Sequence, residues 1–249
     1  MSNPPPRRRA DLLLVERGLF ESRARAQAAI AAGLVTADGA TVGRASDTLS
    51  VEAAITAEPA HPYVSRGGVK LAFALDRFDI AVEGFEALDV GASTGGFTDV
   101  LLARGAVRVV AVDVGRGQLH PRIAADPRVT SREGVDIRDF AAADLPAAPG
   151  LVVIDVSFAP LSAVLPAAAM LAAPGAAIVA LVKPQFEVGR KAIGKRGIVK
   201  DEAARLHALA AAWDLASGLG LVVLGDVPSP ITGGDGNVEY LLAARKPHG

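Results

Sequence analysis

The chain has 249 residues, 51% of them hydrophobic and 21% charged, a balance that excludes a disordered polymer or a collagen-like fibre and suits one large domain, or a medium one with a small companion. Lys+Arg number 26 and Asp+Glu 27, for a net charge of −1, so any nucleic-acid binding has to come from local clusters rather than bulk charge. Cysteine is absent, and the four histidines (His61, His120, His207, His248) lack metal-ligand spacing, so neither a disulfide frame nor a metal site is expected and a reducing cytoplasm is the expected setting.

The opening residues, MSNPPPRRRADLLLVERG, hold arginines without an adequate apolar core after them and do not read as a secretory leader. An apolar stripe of Leu12, Leu13, Leu14 and Val15 marks a short helix over 10–17. Ser22 has the chemistry of an N-cap for a second helix that stops at Gly33. Asp38-Gly39 signals a hairpin, and residues 48–57 read as one further strand. Two prolines, Pro59 and Pro62, make the next few residues a stiff connector. The expected division is therefore residues 1–59, a linker over 60–64, and residues 65–249. Residues 1–59 hold seven arginines and seven acids, yet Arg7, Arg8, Arg9, Arg17, Arg23 and Arg25 fall in the first 25 positions against three acids. Such a cluster suits phosphate contacts. With Phe20 as the only aromatic there, it reads shape and backbone rather than stacked bases, unless it is simply a solvated charged face.

From Tyr63 onward strand and helix patterns alternate. Strands are expected at 87–90, 107–112, 129–132, 151–154, 176–182, 221–226 and 238–243, and helices at 67–78, 96–104, 161–171 and 202–217. This alternation predicts a mostly parallel seven-stranded sheet covered on both faces. The last two strands lack a helix between them, so the final one is expected to run antiparallel. Residues 163–182 carry no charge for 20 positions, the length of a membrane span. Pro166 and the turn at Pro174-Gly175 divide them into a helix and a buried strand instead.

The strongest local signal is LDVGASTGGFTD at 88–99: an apolar strand, a small-residue loop and a helix start. Gly91 is in place for a dinucleotide fingerprint, but Ser93 stands where its second glycine belongs. A nicotinamide oxidoreductase is thereby disfavoured, and an adenosyl ligand without phosphates fits better. Asp113 ends the next strand, 22 residues after Gly91, where an acid can hold ribose hydroxyls. Asp136 follows the third strand and could meet an adenine amine. Asp155 follows LVVI, and Lys183 follows the six apolar residues AIVALV. Both positions fall at the carboxyl ends of strands, where open α/β sheets bind ligands. Burial favours the neutral form of an ammonium, which lets a lysine take a proton from a sugar hydroxyl. Either residue alone reads as an ordinary ion pair; the two together beside this loop point to catalysis. A further segment, GRKAIGKR at 189–196, imitates a phosphate loop but has Arg196 in place of Ser/Thr. It reads as a basic loop in which Arg190, Lys191, Lys195, Arg196 and Lys200 could close over RNA, unless it is merely solvated.

Together VERG at 15–18, SRARA at 22–26, VSRGGVK at 64–70, DVGASTGGFT at 89–98, DVSF at 155–158, VKPQFEV at 182–188 and GNVEY at 236–240 closely resemble the TlyA (hemolysin-A-like) family of rRNA 2′-O-methyltransferases. The resemblance spans nearly the whole chain. It implies a small α+β S4-like RNA-binding domain over 1–59 and a Rossmann-like class I, FtsJ-like methyltransferase domain over 65–249 that uses S-adenosylmethionine. It also implies a catalytic tetrad of Lys70, Asp155, Lys183 and Glu239, of which spacing alone points only to Asp155 and Lys183. Lys183 would take the proton of a ribose 2′-OH, with Asp155 and Lys70 setting its charge state and Glu239 orienting the hydroxyl. Cofactor-binding residues would be Asp89, Gly91, Ser93, Thr94, Gly95, Gly96, Phe97, Asp113 and Asp136. RNA-binding residues would be Arg7, Arg8, Arg9, Arg23, Arg25 and Arg66.

The implied partner is ribosomal RNA or a ribosomal subunit, with cytidine the methylated nucleoside. The sequence ends nine residues after Tyr240, without the C-terminal extension of members that modify both subunit RNAs, so 23S rRNA is expected ahead of 16S. Two rivals stand: a nonenzymatic RNA-binding protein with a decayed methyltransferase domain, opposed by the intact tetrad and loop, and a membrane-active hemolysin, opposed by the missing leader and the broken apolar stretch.

Overall fold

The computed structural model describes residues 5–189, 193–194 and 197–248. The chain divides into two compact units, one up to Pro62 and one from Tyr63.

The first unit runs β1 (Arg7–Arg9), α1 (Ala10–Glu16), α2 (Arg23–Ala31), β2 (Val35–Ala37), β3 (Ala40–Thr41), β4 (Thr48–Ser50) and β5 (Ile55–Ala57). Ala10, Leu14, Phe20, Ala26, Ile30 and Val35 form its core. The Ser22 hydroxyl accepts the Arg25 N–H and caps α2. Asp38 and Gly39 both adopt left-handed backbone, at φ 51° and 81°, and join β2 to β3 as a tight hairpin. One expectation needs correction. The run 48–57 is not one strand: Ala53 N–H bonds back to Ser50 O at 3.1 Å, and the Arg17 guanidinium binds the carbonyls of Val51 and Ala53. The resulting turn sends β4 to β1 and β5 to β2, in separate antiparallel sheets. The arginine-rich start, in turn, forms the strand β1.

The second unit runs α3 (Gly67–Arg77), β6 (Glu86–Val90), α4 (Gly96–Ala103), β7 (Arg108–Asp113), α5 (Pro121–Ala124), β8 (Val129–Glu133), β9 (Leu151–Ile154), α6 (Leu161–Leu171), β10 (Ala177–Val182), α7 (Pro184–Glu187), α8 (Glu202–Gly218), β11 (Val222–Pro228) and β12 (Tyr240–Arg245). Its seven strands are ordered β11-β12-β10-β9-β6-β7-β8. The pairs from β10 to β8 are parallel, and β12 is antiparallel to both β10 and β11, as the missing helix before it implies. Alternate residues of each central strand face opposite layers. Leu88, Val110, Val152 and Ile178 pack with α6 and α8, whereas Ala87, Val109, Val153 and Val179 pack with α3 and α4. The uncharged run 163–182 becomes most of α6, a turn and β10; among the described residues no helix is long and apolar enough to cross a membrane.

Candidate active site

From β6 the sheet grows one way to β7 and β8 and the other way to β9 and β10. The crevice of such a sheet opens where the order reverses, at the strands' carboxyl ends. Gly91, Asp155 and Lys183 directly follow β6, β9 and β10 and line up there. Gly91 has φ +85°, and a Cβ on it would sit 2.4 Å from the carbonyl oxygen of Asp155. Neither a side chain nor right-handed backbone is tolerated, which is the physical reason for a glycine at this position.

Ser93, at φ 46°, gives its N–H to Asp113 Oδ2 at 2.7 Å and its hydroxyl to the Gln118 side chain at 3.1 Å. Asp113 Oδ1 also accepts the Gly115 N–H at 2.7 Å. Asp113 thus ties two loops together, and each oxygen keeps a second lone pair for a ligand. A cavity of about 660 Å³ opens beside it, with Val112, Val135, Ile137 and Pro160 as apolar walls and Asp113 and Asp136 as carboxylates. That lining suits an adenosine: flat apolar surfaces for a base, acids for hydroxyls and an amine. The side-chain hydrogen bond from Arg138, 2.6 Å away, holds Asp136 below the usual carboxylate range.

A second cavity, of about 290 Å³, shares Gly91, Ser93, Asp155 and Ser157 with the first and adds Thr94, Gly96, Phe97, Lys70, Lys183 and Arg66. Lys183 is buried, 2.6 Å from Asp155 Oδ1, and donates to Ser157 Oγ at 3.0 Å. Lys70, on α3, donates to Glu239 Oε2 at 2.5 Å, and both are buried. Glu239 precedes β12, and the antiparallel direction of that strand brings its leading end to the same edge of the sheet. Its loop is held by Asn237, which accepts the Val199 N–H and donates to Gly197 O, each at 3.0 Å.

Not all of the expected site residues line the two cavities. The four tetrad residues form two ion pairs, Lys70 with Glu239 and Lys183 with Asp155; both lysines line the cavity, and Glu239 does not. Asp89 and Gly95 line neither cavity. Gly95 instead packs against Leu119, where a Cβ would come within 2.9 Å. Asp89 is fully buried beneath the loop and accepts the Thr98 hydroxyl at 2.7 Å. Burial raises its carboxyl from 3.8 to about 7, opposed by Thr98 and helped by Asp155. Sequence reasoning missed Ser157 and Glu133. Ser157 was within sight, two residues after Asp155 in DVSF. Glu133, ending β8, accepts the N–H groups of Gly117, Gln118 and Leu119 at 2.9, 2.8 and 3.2 Å, and these bonds, Gly117 first, lower its pKa.

Of the arginines in the first unit, Arg9 and Arg23 share Asp11, Arg7 bonds to Thr48, and Arg8 lies 3.9 Å from Glu16. In the basic loop, Arg190, Lys191, Lys195 and Arg196 lie outside the described residues.

Residues 63–246 match the family model for FtsJ-like methyltransferases, and residues 8–55 match that for the S4 domain. Over 241 residues the chain is 45% identical to the Mycobacterium tuberculosis protein named 16S/23S rRNA (cytidine-2′-O)-methyltransferase TlyA, covering 96% of this chain and 90% of that one. It is 38% identical over 243 residues to Hemolysin A of Brachyspira hyodysenteriae, covering 94% and 98%. A solved Streptococcus thermophilus structure, of a candidate hemolysin, superposes with a TM-score of 0.77 at 41% identity over 97% of this chain and 89% of that one.

Proposed function

The chain belongs to the TlyA family, an S4 domain followed by an FtsJ-like methyltransferase domain, and from that membership we propose that it is an S-adenosylmethionine-dependent rRNA (cytidine-2′-O)-methyltransferase, with 23S rRNA the first substrate to test. RNA capture is assigned to residues 1–59, chiefly Arg9 and Arg23, and the reaction to residues 65–249. The observation that carries the reading is Lys183, buried and ion-paired with Asp155, on the wall of a cavity that shares Gly91 and Ser93 with the adenosine-sized one.

In this reading Lys183 reacts as the free amine, having released its own proton, and takes the proton of the ribose 2′-OH. Asp155, 2.6 Å away, stabilises the cation that results, and Ser157 fixes the direction of the amine. Lys70, its charge balanced by Glu239, presents a fixed ammonium on the cavity wall. Gly91, Asp113 and Asp136 would hold the cofactor, which when bound supplies an activated methyl group on sulfur. The chain's share of the work is to align the hydroxyl and remove one proton.

Lys183→Ala is expected to abolish methylation while cofactor affinity by calorimetry stays near the wild-type value; full activity in that variant refutes the role of Lys183. Mass mapping of 16S and 23S rRNA from cells with and without the protein identifies the substrate.

A further inference from the structure

Asp11 has no exposed surface, although it follows a strand made of three exposed arginines. Its carboxylate gathers three side chains. Arg9 donates Nε to Oδ1 at 3.1 Å and Nη2 to Oδ2 at 3.2 Å. Arg23 donates Nε and Nη2 to Oδ2 at 3.2 and 2.8 Å. Gln27 adds Nε2 at 2.8 Å. The two guanidinium groups come from different elements, β1 and α2, and remain 45% and 52% exposed. Each turns its Nε–Nη2 edge inward, and the Nη1 corner of each takes no part in these bonds. One buried negative charge against two half-exposed positive ones leaves an excess of one positive charge, which a single phosphodiester neutralises.

We propose that Asp11 is a positioning residue for RNA: it clamps Arg9 and Arg23 into one rigid fork whose outward N–H groups grip a backbone phosphate. The proposal rests on the reading of residues 1–59 as the RNA-binding part. Planar guanidinium groups bind carboxylate along one edge and phosphate along another, and a fork held before contact loses little side-chain freedom on binding. Hydrogen bonds from Arg9 first, then those from Arg23 and Gln27, keep Asp11 well below the usual carboxylate range, so the clamp persists at neutral pH.

The test uses the full-length protein and a labelled 23S rRNA transcript, with Kd measured at about 50 and about 200 mM salt. Asp11→Asn removes a negative charge close to the RNA. Field effects alone would tighten binding; loss of the clamp is expected to weaken it roughly tenfold and to reduce the salt slope by about one phosphate contact. Cofactor affinity should not move. In an Arg9→Ala/Arg23→Ala background the same substitution should no longer weaken binding, because Asp11 acts through those two side chains. Should Asp11→Asn fail to fold, Arg23→Lys keeps the charge but cannot span the carboxylate, and its Kd should rise as well.

Unchanged or tighter binding by Asp11→Asn, or wild-type binding by Arg23→Lys, overturns the positioning role while leaving the RNA reading of the arginines in place. Wild-type Kd in Arg9→Ala/Arg23→Ala removes that RNA reading, and the proposal with it. Methylation by the Lys183 variant bears on the catalytic reading alone.

Discussion

Asp89 makes the stability of the methyltransferase unit depend on pH in a direction opposite to most carboxylates. Its carboxyl is raised from 3.8 to about 7 because burial strips its water, with Asp155 and Asp113 pushing the same way against the Thr98 hydroxyl. Between those two values the folded chain keeps a proton that the unfolded chain has released. Stability therefore falls as pH rises through this window. From about pH 5 to about pH 8 the linkage amounts to about 3 kcal/mol. Asp89→Asn keeps the shape and an oxygen for Thr98 but does not titrate. Its amide nitrogen would occupy the place of Oδ1, an atom without a hydrogen-bond partner, at a pH-independent cost of about 1–2 kcal/mol. The variant should start below the wild type at about pH 5 and gain about 3 kcal/mol on it by about pH 8. Urea titrations followed through Trp213, the single tryptophan, measure this directly, because that residue lies in the same unit. Groups common to both proteins cancel in the difference. A gap that stays constant with pH, or widens against the variant, refutes the reasoning.

Two further outcomes test the cofactor side. Glu133→Gln loses the charge that gathers the N–H groups of residues 117–119 and should loosen Gln118, so calorimetric affinity for S-adenosylmethionine should fall roughly tenfold with little change in the urea midpoint. Gly91→Ala places a methyl 2.4 Å from a backbone oxygen on left-handed backbone; it should cost at least about 2 kcal/mol in the same urea titration and abolish cofactor binding.

What could be read from the residues was what local pattern controls. The apolar runs before Asp155 and Lys183 announce buried strands, and a polar residue at the end of such a strand has to emerge at the ligand edge. Gly91 and Ser93 announce a tight turn of a particular kind. The pairing of Lys70 with Glu239 leaves no such trace, since the partners lie 169 positions apart and meet only when α3 and the start of β12 are brought to one edge. Glu133 and Asp11 escaped for a related reason. An acid that collects backbone N–H groups or arginines from other elements resembles any solvated acid until the fold is known. The strand expected over 48–57 failed because its alternation carries no sign of the Arg17 bonds that turn it.

The position of β12 has a consequence for the site. It is the last strand in chain order, yet it lies inside the sheet, between β10 and β11, and Glu239 arrives with it. The walls of the adenosine-sized cavity come from residues 90–164 and owe nothing to that strand, whereas Lys70 has its counter-ion only when the strand is in place. Without β12 the sheet would open between β10 and β11 and Lys70 would lose its counter-ion, while every residue that lines the nucleotide-shaped hollow would still be present.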